Sequence, residues 1–238
     1  SMFSAETYAK RRAELRRRIG SGLILLPGNY EAPMNYPNNA YNFRQDSTFL
    51  YFFGQSLPAL AGVIDADSGA ETLYGDDFTV EDIIWMGPQP SVADLAAEVG
   101  VSQSRPMAAL AADLRHALAQ GRKVHYLPPY RGETTLQISQ LLGIVPSMVH
   151  DRMSLDLLFA VAEMREVKSD EELACIEEAF NIGYHMHTTA MRMCRAGRSE
   201  HEIAGAVDGV AMSYGTGVSF ATILSQHGEV LHNHDHSG

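Results

Sequence analysis

Apolar residues in the first two thirds of the chain fall into two rhythms. Short apolar runs bounded by Gly, Pro or Asp predict strands at Leu23–Pro27, Thr48–Phe53, Leu60–Asp65, Glu71–Tyr74 and Lys123–Leu127. Apolar positions at helical spacing predict helices over Ala5–Ile19, Ser91–Val99, Pro106–Gln120, Glu133–Leu142 and Ser154–Met164. Asp67-Ser68-Gly69 between two of the strands suits a hairpin turn, since glycine accepts a positive φ. Pro106 suits a first helical turn and Gly121 the position just past a helix end. Strands alternating with helices predict an α/β layer structure. Glu31–Asn42, rich in Pro and Asn, reads as a long loop of the kind that is functional or mobile.

The pattern changes near Glu166. Ser169 and Glu172 form a capping box, and Leu173, Ile176, Phe180, Gly183, Met186, Ala190 and Met193 follow at helical spacing until Gly197. Ser199 and Glu202 form a second box, opening a helix to about Tyr214, with Gly215 and Gly217 behind it. Two strand-like runs follow, Val218–Leu224 and Glu229–His234, with Gln226-His227-Gly228 as the turn. A lone hairpin beside two helices cannot bury its own face or pair its own edges. A larger sheet is expected to follow, so the second part reads as incomplete.

Composition narrows the functional classes. The apolar fraction of 45% is that of a globular protein with a real core. A formal net charge of −11 argues against sequence-independent nucleic-acid binding, which needs cationic neutralisation of phosphates. The basic run Lys10-Arg11-Arg12 and Arg16-Arg17-Arg18 lies in a helical pattern and reads as a solvated face. No apolar run approaches the ~20 residues that span a bilayer, so no membrane partner is expected. Cys175 and Cys194 fall on one predicted helix, about 28 Å apart along its axis, which is too far for a disulfide. Two free thiols fit a reducing, cytoplasmic setting.

The candidate chemistry gathers at Leu231-His232-Asn233-His234-Asp235-His236-Ser237-Gly238. In a strand, His232, His234 and His236 would project to one side, where two or three imidazoles could bind zinc. A small zinc hydrolase is therefore one reading. The tract is one residue short of the His-x-His-x-Asp-His run of metallo-β-lactamase-like hydrolases, because Asp235 directly follows His234. A polar strand end with solvated histidines is the plainer reading. His185 and His187 point about 200° apart on a helix, so they cannot share a ligand and read as structural. His201 and the run Glu171, Glu172, Glu177 and Glu178 read as solvated helix positions. No phosphate-binding glycine loop, nucleophile elbow or Cys-x-x-Cys pattern is present.

Three segments read together resemble the Xaa-Pro aminopeptidase (aminopeptidase P) and prolidase family of metallopeptidases. They are Phe43-Arg44-Gln45-Asp46-Ser47-Thr48-Phe49-Leu50-Tyr51-Phe52-Phe53-Gly54, read as an N-terminal-domain strand; Met164-Arg165-Glu166-Val167-Lys168-Ser169-Asp170-Glu171-Glu172, read as the start of the peptidase domain; and Ser219-Phe220-Ala221-Thr222-Ile223-Leu224-Ser225 leading to Leu231-His232. The resemblance implies a creatinase-like N-terminal α/β domain over 1–160 and the first helices and hairpin of a truncated α+β pita-bread domain over 161–238. It implies hydrolysis of the bond before a proline in peptides, a bond whose tertiary amide and fixed φ call for a dedicated site. It implies two divalent ions, manganese for preference, that activate a water. The family's ligands are two Asp, one His and two Glu, all downstream of the position that His232 matches. No carboxylate here matches them, so this fragment is expected to bind no metal and to be inactive alone. His232 would be the active-site histidine, binding substrate and helping to stabilise the tetrahedral species. The turn Ser225-Gln226-His227-Gly228 departs from the commoner Ser-Gly-x-Asn. The resemblance also implies a homodimer, with Glu31–Asn42 as a candidate contact. A non-catalytic pita-bread binding module is the alternative, since the same two-domain fold serves in the large subunit of a histone chaperone.

Overall fold

A computed structural model describes residues 1–238, which divide into two units, Ser1–Val167 and Lys168–Gly238. In the first unit, strand β1 (Leu23–Pro27) is buried on both faces. It pairs antiparallel with β2 (Ala61–Asp65), setting Leu23 against Asp65, and parallel with β5 (Val124–His125). A turn at Asp67 returns β2 to β3 (Glu71–Tyr74), and β4 (Gln103–Arg105) adds in parallel, giving the order β4-β3-β2-β1-β5. Side chains alternate across the pleat. Ile24, Leu26, Ile64 and Leu73 enter one core cluster, and Leu23, Leu25, Val63 and Tyr74 the other. Helices α1 (Ala5–Ile19), α2 (Ser47–Phe53), α4 (Val92–Glu98) and α7 (Leu155–Glu166) cover the first face. Helices α5 (Met107–Ala119) and α6 (Gly132–Leu142) serve the second. The result is the α/β layer structure expected from the alternation.

The Thr48–Phe53 run is a helix, α2, and not a strand. The Asp46 carboxylate accepts the Thr48 and Phe49 N–H groups at 3.0 and 2.8 Å, and Gly54 ends the helix at φ +61°. Phe49, Phe52 and Phe53 then share one buried face at helical spacing, with Phe49 stacked on Phe53. An apolar run this short carries no period of its own, so the cap decides it. The basic run is not a uniformly solvated face either. Arg12 is fully buried, donating to Glu71 Oε2 and to the Phe52 and Val99 carbonyls, each at 2.8 Å. Arg11 lies over the Tyr51 ring and donates to the Tyr51 carbonyl. The sequence pattern did not predict β4 or the short helix α3 (Val80–Met86), which has no buried residue.

In the second unit, α8 (Asp170–Met193) and α9 (Glu200–Ser213) start at the two predicted capping boxes. The two strands expected after them do not form: residues 214–238 contain no strand. The backbone turns of this segment are held by α9. Thr216 N–H donates to the Ala211 carbonyl, and the Thr222 hydroxyl donates to Asp208. No helix is long and apolar enough to cross a membrane.

Candidate functional site

The histidines sit on the irregular segment of the second unit. Ile182, Met186 and Ala190 of α8, with Val207 and Ala211 of α9, form one wall of a cavity of about 600 Å³. Residues 216–220 and 222–224 form the other wall, with Phe220 and Ile223 among the lining residues. The wall is mostly apolar, and His187 is its one imidazole. His185 is stacked on Tyr214 instead, with ring centres 6.0 Å apart, which accords with a structural role.

Past this wall the chain returns to the N-terminus of α9. The Glu200 carboxylate accepts the Gln226 N–H at 2.7 Å and the Gly238 N–H at 3.2 Å. The Glu200 N–H donates to the Gly238 carbonyl at 2.8 Å. These bonds hold the Glu200 carboxyl below its ordinary pKa: the Gln226 N–H lowers it most, burial opposes, and the Gly238 N–H and Ser225 hydroxyl lower it further. Leu231 and His232 lie beyond Gln226, both exposed.

The three C-terminal imidazoles do not share a face, because the strand that would have aligned them is absent. His232 and His234 meet edge to face, with rings at 90° and Nε2 atoms 3.2 Å apart. His236 turns away and donates from Nε2 to the Thr222 carbonyl at 2.9 Å. Asp235 is engaged by the Ser237 N–H and hydroxyl. No group of three or more His, Cys, Asp or Glu side chains could hold a metal ion, so the residues present do not fit the dinuclear centre, and the three-histidine zinc site is not formed. His201 lies beside the Ser199 hydroxyl at 3.2 Å. Cys175 and Cys194 are free.

Glu200 lies between Ser199 and Glu202 of the predicted capping pair and is not among the residues the sequence pattern singles out. A carboxylate on the first turn of a helix was the available signal, but its partners lie 26 and 38 positions away.

The fold and this geometry can be set beside known proteins. Residues 8–126 match the family model of the aminopeptidase P N-terminal domain. The "Probable Xaa-Pro aminopeptidase PEPP" of Paracoccidioides brasiliensis is 26% identical over 219 residues, covering 90% of this chain and 45% of that protein. A "Probable Xaa-Pro aminopeptidase" of Aspergillus flavus is 27% identical over 235 residues, covering 96% and 46%. This chain thus spans less than half the length of these curated relatives. An aspartate-to-alanine variant of Escherichia coli aminopeptidase P superposes with a TM-score of 0.79 at 24% identity, covering 100% of this chain and 57% of that one. Zinc-substituted E. coli aminopeptidase P in complex with product gives 0.71 at 23% identity, covering 90% and 51%. The first of these superpositions covers the whole chain and the second nine tenths of it. With its N-terminal domain model matched over half its length, the chain belongs to the aminopeptidase P family.

Proposed function

We propose that the chain is the N-terminal domain and histidine-bearing segment of an Xaa-Pro aminopeptidase. Such an enzyme removes the residue that precedes proline in a peptide, with metal chemistry supplied by sequence these 238 residues do not hold. One observation supports the reading: residues 8–126 match the aminopeptidase P N-terminal domain, and His232 follows downstream as an exposed side chain. His232 would touch the substrate, donating toward the scissile carbonyl as negative charge develops on it. Manganese is the metal proposed for the whole protein. The 238 residues alone should show no manganese-dependent hydrolysis of an Xaa-Pro peptide, and robust turnover by the 26 kDa chain would overturn the reading. In protein extended to include the family's metal ligands, His232→Ala should lower kcat at least tenfold.

A homodimer is part of the proposal. Helix α3 has no buried residue and exposes Val80, Ile84, Met86 and Trp85, the last at 82%. An apolar cluster of this kind fits an interface core better than a solvated surface. Trp85 is the single tryptophan, so its emission should shift to the blue as protein concentration rises. A monomeric mass by light scattering at high concentration would refute the dimer. A cytoplasmic setting is proposed from the two free cysteines.

A further inference from the structure

We infer that two copies of the chain meet at the carboxyl edge of the five-stranded sheet, with the hairpin of residues 32–41 from one copy seated on helix α3 of the other. This face belongs to the homodimer proposed above and rests on that reading.

Strand register brings the hairpin and α3 to one edge. Pro27 of β1 pairs with Ala61 of β2, and Ala61 pairs with Tyr74 of β3, so β1 and β3 end level with each other. The chain leaves β1 toward the hairpin and leaves β3 toward α3. Two strand spacings separate these exits, about 10 Å. Burial raises the Tyr30 pKa most and the Asp76 charge raises it further, so the root of the hairpin and the start of the α3 segment lie within electrostatic reach.

Both segments are held at their bases. Asn29 N–H donates to Gln45 Oε1 at 2.8 Å and Asn29 Nδ2 to the Arg44 carbonyl at 3.0 Å, closing the chain on either side of the hairpin. Within it, Met34 N–H donates to Asn39 O at 2.7 Å and Tyr41 N–H to Ala32 O at 2.9 Å. Asn39 N–H donates to Tyr36 O at 3.0 Å, a β-turn with Pro37 in its second place. Asp77 Oδ1 accepts the Val92 N–H at 2.7 Å and closes the segment that carries α3. Segments already ordered lose little freedom on association.

Charge selects how a second copy covers this face. At a net charge of −11, copies of the chain repel one another. Residues 32–43 hold no charged side chain, whereas α3 carries Glu81 and Asp82. A hairpin seated on α3 brings no second carboxylate to these acids; α3 against α3 would. The hairpin exposes Met34, Tyr36 and Tyr41, and α3 exposes Ile84, Trp85 and Met86. Tyrosine, tryptophan and methionine are the side chains that interface cores favour. Two-fold symmetry makes the contact twice. Residues 32–41 and 78–90 together fall within the ~20–30 residues a side of a standard interface.

The test is sedimentation equilibrium of the 238-residue chain, with Trp85 emission read over the same concentrations. Tyr36→Asp puts a carboxylate on the hairpin. It should raise the dimer Kd at least tenfold and abolish the blue shift of Trp85, which lies on the other segment. Met34→Ser should raise Kd at least threefold. Phe159→Asp adds the same charge at a side chain of similar exposure beside Arg17 and Arg18, where α1 ends before the start of β1. It should leave Kd within threefold. All three side chains are at least half exposed, so each variant should keep the wild-type far-UV circular dichroism. Added salt should tighten the dimer, because screening weakens repulsion between like-charged copies. A dimer unmoved by Tyr36→Asp and Met34→Ser, one weakened equally by Phe159→Asp, or one loosened by salt would overturn this face and leave the dimer standing. A chain that stays monomeric at every concentration would overturn both.

Discussion

Replacing Arg12 by methionine tests the central claim about how the first unit is held. The guanidinium is fully buried and makes three hydrogen bonds of 2.8 Å, to Glu71 Oε2, Phe52 O and Val99 O. These tie α1 to β3, to the end of α2 and to the end of α4. Methionine fills much of the aliphatic space, so the cavity cost is small. What it loses is polar. Each buried carbonyl left without a donor costs about 1–3 kcal/mol. Glu71, whose side chain is 20% exposed, is left with its charge uncompensated. Removing one partner of a buried pair typically costs about 3–5 kcal/mol, and we expect about 4 kcal/mol in total. For a unit of this size that is a fall in Tm of about 10 °C. Urea unfolding should be followed by far-UV circular dichroism, because Trp85 is too exposed to report on the core. Adding Glu71→Met to Arg12→Met should recover only the share due to the orphaned carboxylate, since the two carbonyls stay unpaired. A loss below about 1 kcal/mol for Arg12→Met would refute the reasoning.

Two further outcomes follow from close packing and from burial. Gly62→Ala places a Cβ 2.1 Å from the Phe53 ring, between β2 and α2, and should cost at least about 1–3 kcal/mol in the same unfolding assay; a near-neutral result would mean that α2 can shift away from the sheet. His125 is buried, with Nε2 donating to the Ser21 carbonyl at 3.0 Å and Nδ1 accepting from the Ser154 hydroxyl at 2.7 Å. Burial lowers its pKa most; the Ser21 carbonyl opposes, Lys123 lowers it further and Asp156 opposes. The unfolded chain then binds a proton that the folded chain refuses, so this residue's contribution to stability is complete above about pH 6.5 and is lost as pH falls toward the depressed folded value. His125→Gln should flatten the stability profile below pH ~6.5, and an unchanged slope would exclude His125 as its source.

Much of the fold was legible because it is written in local chemistry. Both capping boxes of the second unit opened helices where the side chains can reach back to their own backbone, at Ser169 and Ser199. The β-rich runs at Leu23–Pro27 and Glu71–Tyr74 became strands at those residues, and α1 began and ended where its apolar period does. Family membership was legible for a related reason: the motif Phe43–Gly54 falls within residues 8–126, which match the family's N-terminal domain.

Other features depended on partners distant in sequence. The Phe49–Phe53 run became a helix because Asp46 caps it and the sheet receives its aromatic face. Arg12 and Glu200 look alike in sequence to any exposed charge on a helix; only the chain passing over them, 59 positions from Arg12 and 26 and 38 from Glu200, gives them bonds to make. The expected C-terminal hairpin is absent: residues 214–238 contain no strand, and Thr216 and Thr222 bond to α9 instead. The alternation of His232, His234 and His236 is a property of the sequence. The separation of His236 from the other two comes from tertiary structure, because a hydrogen bond to the Thr222 carbonyl, 14 positions away, sets where that ring points.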